Sequence, residues 1–161
     1  MKFSKENPDI LLTGSWDQTV KVWDIRAGKV VKSIFGVKVY GDCLDIKDNV
    51  ILMGNYREED QLQIWDLGTK KLIQNIAWDP RYKVAKGAFL TAAQFSKSSS
   101  KYILAAAAKL NEIRLFDRND NNKLCYIEMT RENVYSVDFS NTCDDFIHGG
   151  DGTSLVQSVI V

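Results

Sequence analysis

The sequence predicts an all-β chain built from about four repeats of a unit with four short strands. Three times an apolar residue, a variable residue, an apolar residue, an aromatic residue and Asp follow one another, at 20–24, 62–66 and 113–117. The three motifs are separated by about 42 and 51 residues, within or somewhat above the period of a propeller blade. Short apolar runs bounded by Gly, Asp, Asn and Ser flank each motif, which is typical of strands joined by turns. Together these observations predict a segment of a β-propeller.

The chain divides into units when it is aligned on the three motifs. We predict a first blade at 1–37, a second at 38–78, an inserted loop at 79–90, a third blade at 91–130 and an incomplete fourth blade at 131–161. The inserted loop explains the longer second spacing. In the fourth unit the aromatic–Asp position falls on Gln157 and Ser158, so the motif is lost there.

The first two units show the same order of elements. In the first, an apolar run at 10–15 precedes a turn at 16–19, the motif strand and an outer-strand candidate at 30–34. The second unit repeats this order, with an inner-strand candidate at 43–46 and an outer-strand candidate at 71–76. Alternation of apolar and polar residues supports a half-buried strand at each motif.

The third and fourth units follow the same order less regularly. In the third, the alanines at 105–108 favour a helix by propensity. Their position between two turns and ahead of the third motif instead predicts a buried strand, and the window is too short for an independent helix. The fourth unit offers strand candidates at 135–139, 146–149 and 154–159.

Composition argues against several functional classes. The 161 residues carry 21 Lys and Arg against 21 Asp and Glu, so the net charge gives no sign of binding to nucleic acid or to an anionic membrane. No apolar run is long enough to cross a bilayer. Three widely spaced cysteines form neither a disulfide framework nor a paired metal motif. We therefore expect a cytoplasmic protein without nucleic-acid or membrane partners, with a cytoskeletal or ciliary location as a narrower option.

These motifs resemble the WD40-repeat family over nearly the whole chain. Residues 11–24, LLTGSWDQTVKVWD, are similar to the family signature throughout. The third motif has Phe116 in place of Trp, and the fourth unit is recognisable only from the order of its predicted strands and turns. The resemblance implies four-stranded blades around a central axis, with a structural hydrogen-bond network in each blade. It assigns structural roles to Thr13, Asp17, Trp23 and Asp24 in the first unit, Trp65 and Asp66 in the second, and Phe116 and Asp117 in the third.

The sequence departs from this family pattern at several positions. The Gly-His pair expected before each inner strand is absent, and Met53 replaces the small hydroxyl residue of the second unit, as Ala105 or Ala106 does in the third. A buried indole N–H without a partner costs about 1–3 kcal/mol. We therefore expect the incomplete networks to weaken the blades without changing the fold.

The two ends lead to an expectation about the ring. The first blade lacks most of its inner strand and the fourth lacks its outer strand, so about four blades are not expected to close. Full closure is what removes exposed sheet edges in this architecture. We expect a partner chain, or sequence outside these 161 residues, to complete the propeller.

The chemistry-bearing residues do not suggest a catalytic, cofactor-binding or metal-binding site. His148 is the only histidine, and a general base would need an orienting acid and a nucleophile, for which nearby aspartates and Ser154 are the available groups. The glycine-rich stretch 149–154 lacks the P-loop lysine and the EF-hand spacing. We expect a strand position for His148 and a tight turn for 149–154.

A set of turn and loop residues is predicted to form a partner-binding rim. In this architecture the turns between second and third strands share one rim with the blade-to-blade loops. Trp, Tyr and Arg are enriched in binding hot spots, and binding residues concentrate on loops of rigid scaffolds. The candidates are Trp16, Tyr56, Arg57, Trp78, Arg81 and Tyr82.

The sequence thus predicts a non-catalytic scaffold that binds other proteins. One alternative is a fixed structural subunit of a larger assembly, such as a cytoskeletal or ciliary complex. The other is a propeller hydrolase, which the missing His–acid–nucleophile set disfavours.

Overall fold

The predicted all-β architecture is confirmed by the computed structural model, which describes residues 1–78, 88–98, 100–142, 145–152 and 154–158. Four antiparallel sheets follow one another along the chain, and their inner strands lie side by side in an arc that is not closed. Each sheet is built from consecutive strands in chain order, so every connection within a sheet is a hairpin.

The first sheet contains β1 (Lys2–Phe3), β2 (Ile10–Gly14), β3 (Thr19–Asp24) and β4 (Lys29–Phe35). The second contains β5 (Leu44–Lys47), β6 (Val50–Gly54), β7 (Leu62–Asp66) and β8 (Leu72–Ile76). The third contains β9 (Leu90–Phe95), β10 (Tyr102–Ala107), β11 (Glu112–Asp117) and β12 (Lys123–Met129). The fourth contains β13 (Val134–Phe139), β14 (Asp145–Gly150) and β15 (Ser154–Ser158).

Successive sheets pack face to face through two apolar clusters. The first cluster joins the first three sheets and includes Leu12, Val22, Ile51 and Phe116, each no more than 1% exposed. The second joins the third and fourth sheets, with Phe139 among its members. Burial of apolar area between sheets is therefore the main stabilising term of the fold.

Strand β10 lies between two neighbouring sheets and is buried along its whole length. Ile103 and Ala105 belong to the first cluster, whereas Leu104 and Ala106 belong to the second, as expected when successive side chains point to opposite faces. The predicted strand at the alanine run is confirmed.

A glycine permits the close contact between the second and third sheets. Asp42 forms a parallel bridge with Ala92, and its N–H donates to the Thr91 carbonyl at 3.1 Å. Gly41, just before it, has a φ of +61°, and a Cβ at this position would lie 2.4 Å from the Thr91 oxygen. Only glycine meets both requirements without strain.

The helical content of the described residues is one 3₁₀ turn of three residues, Arg118–Asp120. This part of the chain therefore holds no helix of the length and hydropathy needed to cross a membrane.

Replacing Leu104 by Ala should test the packing between the third and fourth sheets. Leu104 is fully buried, so the change is expected to lower the free energy of unfolding by about 2–5 kcal/mol. Urea titration followed by intrinsic fluorescence measures the shift. Ile73→Ala, at a side chain that is 55% exposed, is the matched control and should change stability by less than about 0.5 kcal/mol. Equal effects of the two changes would contradict this packing.

Candidate functional site

Four aromatic side chains form a continuous surface at one rim of the arc, here called the aromatic rim patch: Trp16, Tyr40, Tyr56 and Phe89. The ring of Trp16 stacks on Tyr56 with centroids 5.9 Å apart and meets Tyr40 edge-on at 5.4 Å. Tyr56 in turn lies 4.8 Å from both Tyr40 and Phe89. Such ring pairs gain about 0.5–1.5 kcal/mol beyond the area they bury.

Turns and loops of the first three sheets place these rings together. Trp16 lies in the turn between β2 and β3, and Tyr56 lies in the turn between β6 and β7. Tyr40 and Phe89 come from the segments that lead into inner strands β5 and β9. All four positions fall at the rim where inner strands begin.

Backbone hydrogen bonds hold these loops to one another. The Val39 N–H donates to Ser15 O at 3.2 Å, and the Tyr56 N–H donates to Lys38 O at 2.8 Å. The side chain of Asn55, only 2% exposed, accepts from the Lys38 N–H at 2.9 Å. The patch is therefore preorganised, because its supporting backbone is already bonded across two sheets.

Trp16 is the most open member of the patch, with 54% of its surface exposed. Its indole stacks on the half-buried Tyr56 ring and presents a flat apolar face to solvent. Side chains of this kind are frequent hot spots of protein interfaces.

Two lysines lie against the rings. The Lys38 ammonium is 4.3 Å from the Trp16 ring centroid, and the Lys109 ammonium is 5.1 Å from that of Phe89. Within the described residues neither ammonium forms an ion pair, and each is attracted to the ring face beside it. Arg57 lies next to the patch and donates to Gly36 O at 3.4 Å. The patch is thus aromatic, with two lysine ammonium groups over its ring faces.

The structure corrects one predicted rim residue. Trp78 is fully buried rather than exposed, because the chain after β8 turns into the gap between the second and third sheets. Its indole N–H donates to Glu112 at 3.0 Å, and Arg114 stacks over the ring at 4.8 Å while donating to the Trp78 carbonyl. The predicted rim residues Arg81 and Tyr82 lie outside the described residues.

Sequence reasoning did not identify Tyr40, Phe89, Lys38 and Lys109 as rim residues. The repeat register contained a usable signal, since Tyr40 lies four residues before inner strand β5 and Phe89 lies directly before inner strand β9. Loops at these positions share the rim with the turn that holds Tyr56.

The aromatic–Asp motifs occupy equivalent places in their sheets. The Trp23 indole N–H donates to the Thr13 hydroxyl at 2.9 Å. In the second sheet, where Met53 offers no acceptor, the Trp65 N–H donates to Gln63 at 3.0 Å instead. In the third sheet the side chain of Phe116 has no N–H that needs an acceptor, and it is only 1% exposed. An indole that lacks the small hydroxyl partner is thus still satisfied.

The aspartates of the motifs bond turn backbone. Asp24 accepts from the Ala27 N–H at 2.8 Å, and Asp117 accepts from the Asn119 N–H at 2.8 Å. Hydrogen bonds from Thr69 hold the pKa of Asp66 below its usual value, because they favour the charged form. The Thr19 hydroxyl does the same for Asp17, which bonds within its own turn.

His148 lies buried between the third and fourth sheets. His148 belongs to β14, the strand equivalent to the one that carries Thr13. Its Nε2 atom is 3.5 Å from a carboxylate oxygen of Glu128. Within the described residues no group of His, Cys, Asp and Glu has a metal-binding arrangement.

Comparisons with known proteins agree with this geometry. A family model described as WD domain, G-beta repeat, matches residues 2–24. Histone acetyltransferase type B subunit 2 of Eremothecium gossypii is 33% identical over 121 residues, which cover 71% of this chain and 26% of that protein. Autophagy-related protein 16 of Arabidopsis thaliana is 22% identical over 165 residues, covering 98% of this chain and 30% of that protein. The chain thus spans less than a third of the length of either relative.

The fold is also similar to a solved structure. The crystal structure of the computationally designed Ika4 protein aligns with a TM-score of 0.73 and 24% sequence identity, covering 95% of this chain and 87% of that chain. This similarity concerns the fold alone.

Replacing Gln63 by Met should show whether the substitute acceptor matters. The change keeps the volume of the side chain but leaves the Trp65 N–H unpaired, so we expect a loss of about 1 kcal/mol in unfolding free energy. The same change made in a Trp65→Phe background, which has no N–H, should cost less. A double-mutant cycle by urea unfolding gives the coupling energy, and a coupling of zero would contradict a stabilising bond.

Proposed function

This chain belongs to the WD40-repeat family, and we propose from that premise that it is a non-catalytic scaffold that binds other proteins through the aromatic rim patch. Domains of this family generally mediate binding to other proteins. The observation that carries the proposal is the set of stacked rings from three successive sheets, with Trp16 half exposed at its edge.

The charges beside the rings indicate the kind of segment that fits. Lys38 and Lys109 lie over ring faces and form no ion pair within the described part of the chain. An incoming carboxylate would gain an ion pair there, while an apolar side chain would cover the Trp16 and Tyr56 rings. The proposed partner is therefore an extended acidic segment with interspersed apolar residues, because complementary charge favours both encounter and register.

A second candidate, a fixed subunit of a larger assembly, is supported by the outer faces of the first and fourth sheets. Leu12 and Val22 of the first sheet are buried against the second sheet, whereas Thr13 and Trp23 on the opposite face are only partly buried. In the fourth sheet Ile147 is 43% exposed and lines a surface cavity of about 160 Å³. We propose that a further blade, from a partner chain or from sequence outside these 161 residues, covers these faces.

The free thiols of Cys43 and Cys125 support a cytoplasmic setting.

The rim proposal is tested by fluorescence anisotropy with labelled peptides. A peptide that alternates Asp with Leu should bind, and the same peptide with Lys in place of Asp should bind far more weakly. Trp16→Ala should weaken binding at least about tenfold, as truncation of a hot-spot side chain does. Lys38→Glu should weaken it and reduce the salt dependence.

Ile73→Ala provides the control, because this exposed side chain lies on the outer strand β8, away from the rim. It should leave the affinity unchanged. Equal binding of the acidic and basic peptides, or full affinity in Trp16→Ala, would reject the rim as the docking surface.

A further inference from the structure

A second surface lies where the inner strands end, at the opposite end from the aromatic rim patch. A cavity of about 150 Å³ opens there, lined by residues from all four sheets. Four of them are lysines, Lys2, Lys5, Lys47 and Lys97, here called the lysine-lined mouth. Asp45 and Asp138 are the acidic residues of the lining.

The two carboxylates of this lining are already engaged. Asp45 is 8% exposed and accepts the N–H groups of Ile46 at 3.0 Å and Phe95 at 2.8 Å, with Lys2 at 3.6 Å. Asp138 forms an ion pair with Lys97 at 2.7 Å. Each carboxylate therefore offsets one lysine, and the remaining two lysines determine the net charge of the mouth.

Lys47 and Lys5 supply that excess positive charge. The Lys47 ammonium bridges from the second sheet to the third, donating to the carbonyls of Ser96 at 2.8 Å and Lys97 at 2.7 Å. It forms no ion pair within the described residues, and an ammonium has three N–H donors, of which these bonds use two. Lys5, an exposed residue, likewise has no carboxylate partner in the described part of the chain.

We propose that the lysine-lined mouth binds a phosphate group in its dianionic form. Two unbalanced ammonium charges match the charge of a phosphate monoester, and its oxygens accept bonds from several donors at once. Lysine binds phosphate as a point charge on a flexible stem, so side chains from different sheets can converge on one group.

The size of the cavity limits the ligand. Pockets for drug-sized ligands begin near about 300 Å³, so a cavity of about 150 Å³ suits a single small group. The phosphate belongs either to a free small compound or to a phosphorylated side chain of a partner. Because the bound group would contact lysines of several sheets, it should also stabilise the fold by mass action.

Isothermal titration calorimetry at pH 7.5 and low salt tests the proposal by measuring the affinity of two probes. The first is inorganic phosphate, and the second is a short phosphoserine peptide with uncharged flanks, compared with its unphosphorylated form. Binding of phosphate alone would identify a free phosphate compound as the ligand class. Binding of the phosphopeptide but not of the unphosphorylated peptide would identify a phosphorylated chain. Absence of binding by both probes at millimolar concentration would overturn the proposal.

Variants locate the binding site. Lys5→Met and Lys47→Met should each weaken binding at least tenfold, and Lys47→Arg, which keeps the charge, should retain most of it. Of these two lysines, Lys47 also bonds the backbone of the neighbouring sheet, so Lys47→Met removes both a charge and a contact between sheets. Lys5→Met removes a charge without that contact and therefore tests the charge by itself. Lys71→Met, at an exposed lysine outside the cavity lining, is the control and should bind as the parent chain does. Unchanged affinity in both Lys5→Met and Lys47→Met would also overturn the proposal.

Discussion

Face-to-face packing between successive sheets is the constraint on which the other features depend. A single sheet cannot bury its own apolar faces and depends on neighbouring sheets to cover them. The first apolar cluster runs through three sheets without a break. Strand β10 shows the consequence most clearly, because its two faces belong to different clusters and all six residues are buried. In such an array the stability of one unit depends on its neighbours.

This packing fixes the positions of the two surfaces proposed for binding. The aromatic rim patch uses segments from the first three sheets, and the lysine-lined mouth uses residues from all four. Neither surface exists on an isolated sheet. Polar bonds between sheets set the register, as where the Thr91 hydroxyl donates to Val134 O and the Gln94 amide donates to Val137 O at 2.9 Å.

The fold could be predicted from sequence because the repeat supplies a register independent of local propensity. That register placed the alanine run 105–108 in a strand, against its helical propensity, and the structure has this strand at Tyr102–Ala107. It also placed Trp16 and Tyr56 in equivalent turns. It failed at Trp78, since a residue just beyond an outer strand can either extend along a loop or turn back between sheets. The deciding contacts, with Glu112 and Arg114, come from a different unit.

The candidate sites were less predictable for the same reason. Tyr40, Phe89 and Lys109 belong to no motif, and they meet only after three sheets have packed. The sequence likewise did not predict Gln63 as the acceptor for the Trp65 N–H, because the expected acceptor was a small hydroxyl side chain on the neighbouring strand. Side chains two residues apart on one strand share a face, so this alternative is visible once the strand is known.

Hydrogen exchange measured by mass spectrometry on Ile103→Ala tests the dependence of each sheet on its neighbours most directly. Ile103 lies in the third sheet, is fully buried and belongs to the cluster shared with the second sheet. If the sheets support one another, exchange should accelerate in β6 and β7 of the second sheet as well as in β10. Faster exchange confined to the third sheet, with the second sheet unchanged, would contradict this account.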